Sequence, residues 1–116
     1  MDIELTREAN ALITVIYKDY LERRKNGESK SDAMKKFDSE RIQRELLPTW
    51  LLQDVDATMD ELSTNGLVSC FAADDIVAYT AFLTSSGISY MEKRFERNLN
   101  KVLDYLKTFR DLIPLP

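Results

Sequence analysis

The sequence predicts a mainly helical α+β fold in which a small β-hairpin is set between long helices. Three observations predict it. Apolar residues recur at steps of three and four over long stretches near both ends of the chain. The stretch from Leu51 to Thr84 holds a helical pattern that stops at Asn65-Gly66, followed by two runs of strand-forming residues around Asp74-Asp75. A chain of 116 residues is long enough for one domain with a real core and no disulfide or metal staple.

In chain order, Leu5, Ala9, Leu12, Ile16 and Tyr20, with Ile13, Tyr17 and Leu21 on an adjoining row, predict a long amphipathic helix over about 4–25. Acidic residues at its start and Arg23, Arg24 and Lys25 at its end suit the helix dipole, and Asn26-Gly27 supplies the stop. Ser29 or Ser31 caps a short piece over 31–37 that turns Ala33, Met34 and Phe37 inward. Ser39 is the expected N-cap of the next helix, which ends before Pro48 because a residue preceding proline is pushed out of helical geometry. Trp50, in the apolar connector that follows, is expected to plug the core. A helix opening at Gln53 or Asp54 turns Val55, Met59 and Leu62 inward, and turns Asp54, Asp56, Ala57, Asp60, Glu61 and Thr64 outward. The hairpin occupies 67–84, with Asp74-Asp75 as a two-residue turn. A last helix over 85–113 carries the row Ile88, Met91, Phe95, Leu99, Val102, Leu106 and Phe109. About 25 helical residues would run about 37 Å, more than a small core can cover. The surplus stripe is expected on the first helix, on a second copy of the chain, or on both.

Composition narrows the function classes. The chain has no histidine, so the commonest general base and the commonest zinc ligand are both missing. No Gly-rich phosphate loop and no Ser-His-Asp or Cys-His set exists, and the acidic residues from Asp54 onward lack the glycine and glutamate of a calcium loop. No enzyme activity, cofactor or metal is expected. The single cysteine, Cys70, falls in a strand and is expected to be a buried, inert thiol. Without an apolar run of membrane-spanning length or a secretory leader, a cytoplasmic protein that does not enter membranes is expected.

The string Leu62, Gly66-Leu67-Val68, hairpin, Leu83-Thr84, Gly87 and Tyr90-Met91-Glu92 is similar to the third-helix and wing region of winged helix-turn-helix proteins, and the chain resembles small YjcQ-like bacterial proteins. The resemblance implies one winged-helix domain over 1–116, with a helix-turn-helix core at 39–66. In the superfamily at large the third helix commonly enters the major groove and the wing touches the backbone.

Charge argues against that occupation here. Between Glu45 and Glu92 there are eight acidic residues and no lysine or arginine, whereas DNA affinity comes mainly from cations that neutralise phosphates. Asp54, Asp56, Asp60, Glu61, Asp74 and Asp75 therefore form an expected acidic interaction face, suited to a basic protein surface. Residues 18–44 carry nine basic against six acidic side chains. The alternative role is a DNA-binding regulator using these basic flanks, with Lys35, Lys36, Arg41 and Arg44 as phosphate contacts alongside Arg23, Arg24, Lys25 and Lys30. The expected partner is another protein, or the chain itself as a homodimer through the terminal helix.

Overall fold

The first amphipathic stretch forms α1 (Arg7–Lys25) in the computed structural model, which describes residues 3–35, 37–72 and 79–113. Thr6 caps it, Oγ1 accepting from the Ala9 N–H at 3.2 Å. The seven consecutive residues from Ala11 to Tyr17 are all buried, so the expected single wide face is replaced, over two turns, by burial on every side. Thr14 is tolerated among them because its hydroxyl donates to the Asn10 carbonyl at 2.6 Å. At the far end Gly27 takes φ +93°, and the Gly27 and Glu28 N–H groups close back on the Arg24 and Arg23 carbonyls.

The segment expected as a helix over 31–37 is divided. Ser29 caps the single turn α2 (Lys30–Ala33), after which the Met34 carbonyl accepts from the Leu83 N–H at 2.9 Å. Phe37–Asp38 is then drawn into a short strand, β1. Asp38, rather than Ser39, caps the next helix: its Oδ1 accepts from the Glu40 N–H at 2.9 Å, while Ser39 is fully buried. That helix, α3 (Ser39–Arg41), passes into a π-helical turn (Ile42–Leu46), which the Leu47 N–H closes on the Ile42 carbonyl at 2.8 Å. Trp50 plugs the core as expected, 8% exposed, and its Nε1–H donates to the Leu112 carbonyl at 2.8 Å.

Helix α4 (Leu52–Thr64) ends in the same way as α1, with Gly66 at φ +75° and Leu67 N–H bonded to the Leu62 carbonyl. Val55, Met59 and Leu62 are buried, as their spacing predicts. The strands β2 (Val68–Ala72) and β3 (Tyr79–Leu83) pair antiparallel with Val68 opposite Leu83 and Cys70 opposite Ala81. β1 pairs with the other edge of β3, giving a three-stranded sheet in the order β1-β3-β2. The expected turn at Asp74-Asp75 lies outside the described residues.

The single terminal helix expected over 85–113 is instead broken. Thr84 caps α5 (Ser85–Phe95), the chain turns at Glu96 with φ +58°, and Asn98 caps α6 (Leu99–Leu106), which runs into a 3₁₀ turn (Lys107–Phe109). A straight helix of about 37 Å would span the full 38 Å of the molecule's longest extent. The break brings α6 onto α1 instead, with Phe95, Tyr105 and Phe109 ring to ring at 5.2 and 5.1 Å. Arg94 fastens the corner, its guanidinium 4.7 Å from the Tyr105 ring centroid and donating to Asn10 Oδ1. The result is a mainly helical α+β fold with the small antiparallel sheet on one side. Among the described residues no helix is long and apolar enough to cross a membrane.

Gly87 lies in the first turn of α5, where a Cβ would overlap the Leu67 carbonyl oxygen. Gly87→Ala should therefore destabilise the fold by about 1–3 kcal/mol through overpacking, and Ile13→Ala by about 2–5 kcal/mol through a cavity inside the enclosed turns of α1. Urea unfolding followed by circular dichroism checks both; a Gly87→Ala protein as stable as the parent would mean that the α5–β2 junction has slack.

Candidate interaction surfaces

At 3.6 residues per turn, Asp54, Ala57, Thr58 and Glu61 fall on one side of α4. They line a groove of about 590 Å³ whose other walls come from Thr6 and Glu8 at the start of α1, the connector residues Thr49 and Trp50, and Asp111 and Leu112 near the carboxyl end. Among the described residues four carboxylates line this groove, and no lysine or arginine does. Two are already engaged. Glu61 accepts from the Thr6 N–H at 2.8 Å and from the Thr6 hydroxyl at 2.7 Å, so it buttresses the cap of α1. Asp111 pairs with Arg7, which also donates to the Thr108 carbonyl. Glu8 and Asp54 are exposed and make no ion pair among the described residues.

The rest of the expected acidic face does not join them. Asp60 is exposed, but on another side of α4. Asp56, expected to face outward, is buried at 8% exposure, and neither carboxylate oxygen has a hydrogen-bond partner among the described residues. Its position on the helix lies on the side of Ser63, whose side chain hydrogen-bonds with Cys70 of β2, so a flank that would be free on an isolated helix faces the sheet. Asp74 and Asp75 lie outside the described residues.

Cys70 on β2 faces the same side of α4. It is half-buried, its Sγ–H donating to the Met59 carbonyl at 3.7 Å. Burial first, then the negative charge of Asp60, pushes its thiol up to about 11, with Ser63 pulling the other way and Asp56 adding to the rise. The thiol is therefore protonated at neutral pH and a weak nucleophile. Among the described residues no three Cys, Asp or Glu side chains are grouped so as to hold a metal ion.

The basic flank is dispersed as well. Lys35 and Arg41 share a groove with Arg23, but Glu28, Asp32 and Asp38 line it too, three carboxylates against three cations. Arg41 is paired with Glu45 at 2.7 Å, and Arg23 with Asp19 at 3.0 Å while lying over the Phe37 ring. Arg44 is exposed and does not line that groove, and Lys36 lies outside the described residues. The stripe expected to offer a dimer contact is covered within one chain: Ile88, Met91, Phe95, Val102, Leu106 and Phe109 are buried and Leu99 is half-buried.

Sequence spacing found Asp54 and Glu61 but missed Glu8 and Asp111, which stand 46 residues before and 57 after Asp54. No local signal marks them, because only the packing of α1, α4 and the carboxyl-terminal turns brings them together. Comparison with protein-family models, with curated proteins and with solved structures finds no match to this chain.

A buried carboxylate without a donor costs free energy. Asp56→Ala should consequently stabilise the protein, by about 1–3 kcal/mol, raising the urea midpoint at unchanged slope. A lowered midpoint would show that the carboxylate is held by a partner that its position does not reveal.

Proposed function

We propose that the chain is a non-enzymatic winged helix-turn-helix protein that acts as a protein-interaction module, receiving a lysine- or arginine-rich segment of a partner in the acidic groove beside α4. The order of elements supports the winged-helix reading: a helix, a short strand, two helices joined by a tight connector, then a hairpin whose second strand pairs with that short strand. The observation that carries the role is the groove lined by Glu8, Asp54, Glu61 and Asp111 with no cation among its described lining residues. Such a groove attracts positive charge and repels phosphate, the reverse of what a DNA-reading helix needs. Its free carboxylates, on Glu8 and Asp54, stand on two different helices, so an extended basic segment can meet both.

The mixed charge around Lys35 and Arg41 speaks against the DNA-binding alternative, since carboxylates interleaved with cations offset the counterion release that drives phosphate binding. The reading predicts that a fluorescent arginine-rich peptide binds at low salt and is released as salt rises. Replacing both Glu8 and Asp54 with their amides should weaken binding about tenfold, the loss of one to two kcal/mol expected of exposed charge pairs acting together. Anisotropy titration reads this directly. A peptide that ignores the double substitution, or duplex DNA bound at moderate salt with a steep salt dependence, would overturn the proposal.

A further inference from the structure

A second charged groove lies at the other end of α1, and its sign is opposite. Arg24 and Lys25 at the end of α1, Lys30 at the start of α2 and Arg97 from the turn between α5 and α6 line a groove of about 560 Å³. Lys25 and Arg97 also line an adjoining hollow with Asn98 and Glu96, whose carboxylate lies 3.4 Å from the Lys101 ammonium, so the two form one continuous surface. The stretch from Arg24 to Lys30 and the distant Arg97 thus contribute four cations to one place. Two carboxylates, Glu28 and Glu92, share the lining of the main groove.

The cations are largely unspent. Lys25 and Lys30 are exposed and make no ion pair among the described residues. Arg97 meets Glu92 only at 3.4 Å, with its side chain 79% exposed, and such pairs are worth little in water. Arg24 donates one N–H to the Glu28 carbonyl at 3.0 Å and keeps others. Beneath them Tyr20, Leu21 and Ile88 are buried and form an apolar floor, which strengthens charge interactions above it. The break at Glu96 assembles the set, since a helix continuing straight past Phe95 would not return Arg97 to the end of α1.

We propose that this groove binds a small molecule bearing a phosphate or pyrophosphate group, held by Lys25, Lys30 and Arg97. Its volume lies within the range of about 300–1,000 Å³ common for small-ligand sites. Compact lysine ammonium groups beside forked arginine donors are the chemistry that phosphate oxygens favour. Glu28 and Glu92 in the lining select for a compact anion, because a duplex laid across the groove would bring further phosphates against those carboxylates.

Calorimetric titration of the full chain with inorganic pyrophosphate and with adenosine diphosphate at low salt tests this. Both should bind at a single site, adenosine should not, and affinity should fall as salt rises. Lys25→Gln combined with Lys30→Gln should lower affinity about tenfold or more, as should Arg97→Gln, while Lys35→Gln leaves it unchanged. All of these side chains are solvent-facing, so the variants remain folded, which circular dichroism confirms independently. Absence of binding by pyrophosphate, binding that survives the Lys25 and Lys30 substitutions, or a short DNA duplex that displaces pyrophosphate and binds more tightly would each overturn the assignment.

Discussion

The enclosure of α1 between Ala11 and Tyr17 is the constraint from which the rest of the structure follows. A helix buried on every side needs neighbours all round, and one small sheet and one helix cannot supply them. Helix α4 covers one side, and α5 and α6, turned on each other at Glu96, cover others. Each fully buried leucine or isoleucine contributes about 1.5–3 kcal/mol relative to exposure, and Leu12, Ile13 and Ile16 are all completely buried. Against that gain the positive φ of Glu96, costing about 1–3 kcal/mol as a sparsely populated backbone conformation, is affordable.

The same packing divides the surface into regions of opposite sign. At the amino-terminal end of α1, Glu8 joins Asp54, Glu61 and Asp111; at its carboxyl-terminal end, Arg24 and Lys25 join Lys30 and Arg97. Nineteen residues of helix separate these ends by about 28 Å at 1.5 Å per residue, roughly three Debye lengths at physiological salt. The two fields are therefore nearly independent, and the formal net charge of -4 describes neither of them. The proposed protein partner and the proposed phosphate-bearing ligand can be accommodated together for this reason.

Helix α4 shows how one amphipathic element acquires three distinct sides. Its apolar row meets α1, the side bearing Asp54 and Glu61 opens on the acidic groove, and the side bearing Asp56 and Ser63 is closed by the sheet. An isolated helix has only an inside and an outside. The third side exists because β2 returns beside α4 after the Gly66 stop, and it converts a residue of ordinary surface type into a buried carboxylate with no donor among the described residues.

What the sequence determined by itself was local. The amphipathic periods of α1 and α4, the Asn-Gly stops with their positive φ, and the cap of α2 at Ser29, one of the two serines the sequence offered, follow from contacts between residues a few places apart. The burial of Trp50 and the absence of cations from Glu45 to Glu92 were legible from residue type, although the Trp50 indole finds its acceptor at the distant Leu112. Tertiary structure alone decided where Phe37 and Asp38 pair, because a two-residue strand is stable only against the waiting edge of β3. It decided the break at Glu96, because an unbroken apolar stripe is equally compatible with one straight helix until α1 demands cover. It also decided which distant charges meet: Glu8 and Asp111 with Asp54 in one groove, and Arg97 with the stretch from Arg24 to Lys30 in the other, lie tens of residues apart and no spacing rule connects them.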